Sequence, residues 1–502
     1  MSAVDNLWLG LQHAGTLYNL FYCFIGVFFG TAVGVLPGLG PLATIAMLLP
    51  LTFGLPPETA LIMLAGIYYG SQYGGSTTAI LVNLPGESSS VVTAIDGYQL
   101  ARQGYAGRAL ATAAIGSFVA GTISTMLIAL FAPPLASVAL KFGPADYFSL
   151  MVLGLIASIV LAHGSLLHAL GMIVLGLLLG VVGTDVTSGV QRFTFGSPHL
   201  FDGIDFVIVA MGIFGVGEII ANLEGESSRS VAPGKVRGLM PTREDLRRIA
   251  APVLRGTAMG SVLGILPGGG ALLSAFASYS LEKKLSREPE KFGHGAIEGV
   301  AGPESANNAG AQTSFIPMLT LGIPSNPVMA LMVGAMIIQG IQPGPQIVSE
   351  QPVLFWALIV SMWLGNVMLL VLNLPLIGIW VRMLQIPYRL LFPAILTFCT
   401  IGVYSLGSST FDIYMMAVFG VAGYLFRKID AEPAPLMLGF ILGPMMEEYL
   451  RRALLLSEGD MSVMVTRPIS ATLLALSVIL LLSILLPSIR RTREVAFEEE
   501  EL

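Results

Sequence analysis

Charge is scarce in this sequence. Of 502 residues only 11% are Asp, Glu, Lys or Arg, where a soluble domain carries about 25%. A chain this poor in polar surface cannot be a water-soluble enzyme. Its 54% hydrophobic content equally excludes a disordered chain, which needs the opposite balance. The net charge of −6 leaves no basic footprint for nucleic acid. Cysteine is nearly missing. Cys23 and Cys399 both sit in apolar runs, so they read as small buried residues with no disulfide framework. There is no GxxxxGK[ST] to cradle phosphate, no HExxH among the five histidines, and no GxSxG elbow. Nucleotide hydrolysis by a P-loop, zincin chemistry and an elbow-type hydrolase therefore lack their signatures. No Lys or Arg precedes the apolar run after Tyr18, and that run outlasts a short h-region, which argues against a cleavable signal peptide.

What the chain has in abundance is apolar length. Windows near 108–131, 145–163, 165–186, 203–222, 352–373, 390–406, 410–427, 435–450 and 468–487 approach the roughly 20 residues needed to cross a bilayer as a helix. The expectation is an all-α polytopic membrane protein. Breakers are plentiful too, with 58 Gly and 30 Pro. They split the apolar stretch 18–54 at Gly34-Val35-Leu36-Pro37-Gly38-Leu39-Gly40 and the stretch 252–280 at Gly264-Ile265-Leu266-Pro267-Gly268-Gly269-Gly270. They also crowd 58–101 and 299–343. Irregular backbone at membrane depth survives only where protein buries it or a watery cavity meets it.

The two LPG segments begin at Gly34 and Gly264, and the similarity continues beyond them. Pro134 aligns with Pro375, Lys141 with Arg382, and Tyr147 with Tyr388, all at one offset. Leu175-Gly176 aligns with Phe419-Gly420, and Glu218 with Glu447, at slightly different offsets. An internal duplication with insertions follows. Lys and Arg are missing from 1–101 and 292–381, whereas 229–255 holds seven and 283–291 four. The positive-inside rule places those basic stretches in the cytoplasm. Threading the remaining spans leaves 20 of the 25 Lys and Arg inside, with the N-terminus outside and the C-terminus inside. The two halves then run in opposite directions. The predicted organisation is a first inverted repeat over 1–228 (re-entrant hairpin 18–54, broken segment 58–101, four helices) and a basic connection at 229–255. A second repeat over 252–453 (hairpin 252–280, broken segment 299–343, four helices) is followed by an extra helix at 467–488 and a cytoplasmic tail at 489–502.

Inverted repeats with broken helices meeting near the midplane are the architecture of secondary transporters; the alternative is that Gly and Pro merely permit close helix packing. Half-helix N-termini suit carboxylates, and unwound carbonyls suit Na⁺. The substrate and cation candidates are Pro37, Gly38, Gly40, Pro267, Gly268, Gly269 and Gly270 in the LPG segments. In the first broken segment they are Gly74, Gly75, Ser76, Thr77, Asn83, Pro85, Gly86, Glu87 and Ser88. In the second they are Asn307, Asn308, Thr313, Ser314, Pro324, Ser325 and Asn326. A Na⁺ site is expected at Asn83, Asn308, Ser325 and nearby backbone carbonyls. No Lys or Arg occurs in these segments, so an anionic substrate has to rely on dipoles, hydroxyls and a co-bound cation. Glu87 and Glu304 lie closest to the breaks; each is read either as a proton carrier or as a carboxylate at an aqueous rim or on backbone N–H groups. Glu218 and Glu447 read as scaffold braces, and Asp96 in Asp96-Gly97-Tyr98 as turn chemistry.

The chain resembles the large membrane subunit of the tripartite tricarboxylate transporters. The resemblance rests on GVLPGLGPLATIAMLLPLTF (34–53), GIYYGSQYGGSTTAILVNLPGE (66–87), DGYQLARQG (96–104), RFTFG (192–196), GPESANNAG (302–310), LTLGIPSNP (319–327) and APLMLGFILGPMMEE (434–448). It implies a bacterial inner-membrane uptake system for tricarboxylates such as citrate, or for related carboxylates. It also implies a small membrane partner subunit, a periplasmic solute-binding protein, and drive from a Na⁺ or H⁺ gradient with no other cofactor. The expected function is an ion-coupled secondary transporter working by an elevator-type movement, and not an enzyme. A carrier of the same fold without a binding protein, and an intramembrane enzyme using Glu87 or Glu304, are the alternatives.

Overall fold

In hydrocarbon a backbone has no water to bond, so apolar stretches must close their own hydrogen bonds, and helices do so within one segment. The computed structural model describes residues 3–36, 40–161, 165–185, 187–224, 236, 238–266, 270–384, 386 and 388–484. The LPG tips with Pro37, Gly38, Pro267, Gly268 and Gly269, much of the basic connection and the tail at 489–502 lie outside the described residues.

The chain opens with α1 (Ala3–Ala14) and α2 (Leu17–Val35), the latter capped where Thr16 Oγ1 accepts the Asn19 N–H. Next come α3 (Pro41–Leu48), α4 (Pro57–Val82), α5 (Ser90–Leu100), α6 (Ala106–Ala139), α7 (Pro144–Leu161) and α8 (Leu166–Gly180). A two-residue hairpin pairs β1 (Gly183–Thr184) with β2 (Gln191–Arg192). Then α9 (Phe206–Ala210) runs through a π turn into α10 (Gly217–Glu224). The second half begins with α11 (Arg243–Leu263), started by a Thr242/Asp245 capping box. It continues as α12 (Gly270–Leu285), α13 (Glu298–Thr313), α14 (Phe315–Leu321), α15 (Pro327–Ile338), α16 (Gln346–Glu350) and α17 (Pro352–Asn373). Last are α18 (Ile377–Met383), α19 (Tyr388–Gly407), α20 (Thr410–Lys428), α21 (Ala434–Leu456), α22 (Val463–Thr466) and α23 (Pro468–Ile484).

Each of the apolar windows is mostly helix among the described residues: α6, α7, α8, α9–α10, α17, α19, α20, α21 and α23. Among the described residues four stretches are long and apolar enough to cross a membrane: Leu17–Val35, Ser90–Ala139, Phe206–Glu224 and Pro352–Asn373. Several shorter apolar helices accompany them.

Of the stretches 58–101 and 299–343 most is helix, and the irregular backbone lies in two short breaks, 83–89 and 322–326, and in the turn after α15. The polar runs GSQYGGSTT and ESANNAG are regular helix within α4 and α13, and both helices are buried along nearly their whole length. Their small residues let backbones touch. A side chain added at Gly26, Gly30 or Gly34 of α2 would strike the carbonyls of Met63, Ile67 and Ser71 on α4. One added at Gly256, Gly260 or Gly264 of α11 would strike those of Gly302, Ala306 and Gly310 on α13. The two glycine rows keep one constant offset in the sequence, the same one that relates the LPG segments, and their partner rows keep another. Similar seams join α8 to α21, at Gly176 against Leu436, and the π turn to α20, at Gly212 against Met416.

The breaks correspond as well. The first helix ends with Asn83 in the left-handed region (φ 56), then Leu84-Pro85-Gly86; the second ends with Gly322 (φ 72), then Ile323-Pro324-Ser325. Asn is one of the few side chains that tolerate this conformation. The turn read at Asp96 is instead helix. Asp96 is buried in α5 and accepts the Gly293, Gly295 and Ala296 N–H groups (2.9, 2.7 and 2.8 Å) and the Tyr279 hydroxyl (3.0 Å). It fastens the loop leading into α13. The chain kinks later, at Gly104 (φ 89), between α5 and α6.

Candidate functional site

Where the two breaks meet the LPG flanks, a cavity of about 510 Å³ opens, within the range of small-molecule sites. Its floor comes from both halves in matched pieces. Gly40, Pro41 and Leu42 face it from the start of α3, and Gly270, Ala271 and Leu272 from the start of α12, at the offset that relates the two glycine rows. Glu87, Ser88 and Ser89 face it from the first break, and Asn326, Pro327 and Val328 from the second, at the offset that relates the partner rows. Pro41 and Pro327 hold the first helical position, where the missing N–H costs nothing. Asn326 caps α15, its Oδ1 accepting the Met329 N–H at 2.9 Å. The starts of α3, α5, α12, α15 and α21 thus converge on one space, each contributing the positive end of a helix dipole, worth about 0.3–1 kcal/mol to a nearby anion.

The outer wall has no duplicate. It consists of Ile213, Phe214, Gly217 and Glu218, then Gly423 and Arg427 near the end of α20, and Glu432, Pro433 and Ala434 at the start of α21. Arg427 pairs with Glu218 at 2.6 Å and, among the described residues, is the one Lys or Arg lining the cavity.

Side chains from the two halves interlock behind the floor. Asn307 Nδ2 donates to Glu87 Oε1 at 2.8 Å, and Asn326 Nδ2 approaches the Tyr68 hydroxyl at 3.4 Å. These contacts are reciprocal: at the offset of the breaks, Asn307 corresponds to Tyr68 and Asn326 to Glu87. Asn326 also donates to Ser314 Oγ at 3.0 Å, and Gln72 on the cavity wall faces Ser89 Oγ at 3.4 Å.

Of the sequence candidates, Gly40, Pro85, Gly86, Glu87, Ser88, Gly270 and Asn326 line the cavity. Gly74 and Gly75 pack α4 against Thr31 and against the Glu87 side chain. Thr313 bonds the Ala309 carbonyl of its own helix, and Ser314 that of Gly310. Pro324 is buried in the second break. Ser76 and Asn308 lie deeper, on Glu304, and Thr77 bonds the Tyr73 carbonyl. The three residues expected to share Na⁺ do not come together by hydrogen bonding among the described residues. Asn83 is an exposed helix end, Asn308 serves Glu304 and Ser117, and Ser325 bonds the Ser314 carbonyl at 3.3 Å. Tyr68, Gln72 and Arg427 were not legible as site residues, and Glu218, expected to brace the scaffold, both braces α20 and lines the cavity.

On another face, ion pairs hold the β1–β2 hairpin to α21. Arg451 bonds Asp185 at 2.7 Å and Glu447 at 2.6 Å, and Arg192 bonds Glu447 at 2.9 Å. The Arg451 guanidinium holds the Asp185 carboxyl well below the usual carboxylate range. A separate cavity of about 220 Å³, bordered by Phe53, His199, Asp205 and Asp412, receives no residue from either break.

A family model, that of the tripartite tricarboxylate transporter TctA family, matches residues 20–438. An uncharacterized 52.8 kDa protein in the TAR-I ttuC' 3' region of Agrobacterium vitis is 63% identical over 501 residues, spanning 100% of both chains. An uncharacterized protein in the TAR-II ttuC' 3' region of the same organism is 61% identical over 242 residues, 48% of this chain and 100% of its own length. No solved structure matches.

Proposed function

The chain belongs to the tripartite tricarboxylate transporter TctA family, a family of transporters and not of enzymes, and from that membership we propose that it is the large membrane subunit of an ion-coupled importer. The cargo is a tricarboxylate such as citrate or a related carboxylate. The partners are a small membrane subunit and a periplasmic solute-binding protein, and the site of action is a bacterial inner membrane.

The observation that carries the reading is the cavity walled by matched helix starts. A polyanion needs several sources of positive potential. One helix end supplies about 0.3–1 kcal/mol, so convergence of several is required, and Arg427 adds a charge where its pair with Glu218 opens. The reciprocal contacts Tyr68–Asn326 and Asn307–Glu87 are the pattern a two-fold axis produces, with i touching j′ and j touching i′. They support two inverted repeats with the site at their interface. The end of α20 and the start of α21, which the distribution of Lys and Arg puts on the cytoplasmic side, form the outer wall with the π turn and the first turn of α10, so the cavity opens toward the cytoplasm. We read this form as inward-facing, with α2–α6 and α11–α17 moving as an elevator against the remaining outer helices.

Uptake of labelled citrate into proteoliposomes holding this chain and its small partner, with binding protein outside, tests the reading. Uptake that requires the binding protein and one imposed Na⁺ or proton gradient supports it; uptake without the binding protein favours a stand-alone carrier. A crosslink tying Ala271 on α12 to Gly423 on α20 should abolish uptake, and undiminished uptake overturns the elevator.

A further inference from the structure

Glu304 has a second, deeper setting of its own. It is fully buried, and among the described residues every group that bonds its carboxylate is neutral. Ser117 Oγ donates to Oε1 at 2.9 Å, Asn308 Nδ2 to Oε1 at 3.0 Å, and Thr93 Oγ1 to Oε2 at 2.9 Å; Ser76 Oγ lies 2.8 and 2.7 Å from the two oxygens. Hydrogen bonds replace lost water but cancel no charge, and a buried carboxylate without a counter-charge is strongly disfavoured.

A small cavity of about 10 Å³ adjoins it, lined by Glu304, Tyr73, Ser76, Thr77, Ser117 and Asn373, among others. That is about the space one water-sized occupant needs. The Tyr73 hydroxyl donates to Asn366 Oδ1 at 2.7 Å, which leaves its own oxygen able to accept. Asn373 is 3% exposed; its Nδ2 donates to the Leu369 carbonyl at 3.0 Å, while its Oδ1 is buried with no partner among the described residues. A proton on Glu304 would neutralise the carboxylate but turn one of its oxygens from acceptor to donor, against the four groups that already donate to it. A hard, compact cation keeps that acceptor pattern and takes the bare amide oxygen as well, because it binds charged and neutral oxygen ligands alike.

We propose that this cavity is a Na⁺ site in which Glu304 is the anionic ligand and Asn373 Oδ1 a neutral one, completed by the hydroxyls of Tyr73, Ser76 and Ser117. The proposal deepens the ion-coupled reading above and rests on it. It also supplies the coupling. Ser76 lies one turn beyond Gln72 on the substrate cavity, Asn308 follows Asn307 that grips Glu87, and Thr93 belongs to the helix that starts at the cavity floor. A cation that draws α4, α5, α6 and α13 together on Glu304 sets both walls of the larger cavity. Na⁺ then raises carboxylate affinity, and carboxylate raises Na⁺ affinity by the same factor.

The test is ²²Na binding to the full chain purified with its small subunit, without substrate, together with the melting temperature in Na⁺ against K⁺. Wild type binds ²²Na and is stabilised by Na⁺. Glu304→Gln loses both, and Asn373→Ala weakens binding by at least about ten-fold (a factor of ten being about 1.4 kcal/mol) while melting like wild type in K⁺. Where Glu304→Gln does not fold, Asn373→Ala decides. Wild-type ²²Na binding in both variants overturns the site, and so does a wild-type chain that binds no ²²Na but changes its proton content on substrate binding. If Na⁺-driven uptake persists while the variants bind as wild type, this site alone falls. If wild type shows no ion-driven uptake, the transport reading falls with it.

Discussion

The two breaks share a backbone and differ in charge. Position for position, Glu87 in the first stands where Asn326 stands in the second, and Tyr68 where Asn307 stands. Glu304 stands where the first half has Ala65. The helix starts, prolines and left-handed residues come twice; the carboxylates come once each. Duplicated backbone builds a symmetric cradle of dipoles, and unduplicated side chains decide what the cradle holds.

The largest expected effect tests whether the halves are equivalent at all. Gly30→Val and Gly260→Val each force a side chain into a backbone seam and should destabilise by about 3 kcal/mol or more, measured as melting temperature and monodisperse yield. A penalty in one half only would break the comparison. Next is Glu87→Gln, which should cut uptake at least about ten-fold, the loss of roughly one charged hydrogen bond, with little change in melting. In Glu87→Asn combined with Asn326→Glu, uptake should exceed that of either single variant if the two positions are related by symmetry; a double variant as poor as the worse single says that they are not. Glu218→Gln should have a smaller effect. It frees Arg427 for a substrate carboxylate, so KM and kcat should fall together, as expected when the bound state is held too well.

The hairpin gives a pH test. Asp185 has its pKa depressed by Arg451, so the stabilisation is complete above the ordinary aspartate value of about 3.9 and is lost only as pH falls through the depressed one. Hydrogen exchange at 183–192 should stay slow from neutral pH down to about that value, and Arg451→Gln should speed it even at neutral pH. Last comes Glu224→Gln, which breaks an exposed pair with Lys428 (2.6 Å) and should leave uptake within about two-fold.

The helices were legible because apolar length in a charge-poor chain has one stable outcome, and the breaks because Pro85 and Pro324 cannot continue a helix. The helical state of GSQYGGSTT and ESANNAG was hidden. Small polar residues disfavour an isolated helix, and only the facing glycine rows of α2 and α11 turn them into packing surfaces. Glu87 could be picked out by its nearness to a break. Arg427 could not, since it reaches the cavity from α20, far along the chain from the first break, as one of 25 Lys and Arg. Asp96 was misplaced for a similar reason: its partners at 293–296 belong to the other half of the chain.

The glycine seams have a mechanical consequence. Two helices in backbone contact have no layer of side chains between them to shear, so α2 with α4, and α11 with α13, behave as double-walled struts. So do α8 with α21, and the π turn with α20. Displacement is then cheapest along the boundary between struts, and the large cavity lies on that boundary, between the starts of α3 and α12 on one side and the π turn and the end of α20 on the other. In the proposed importer the slip plane and the cargo hold are one surface.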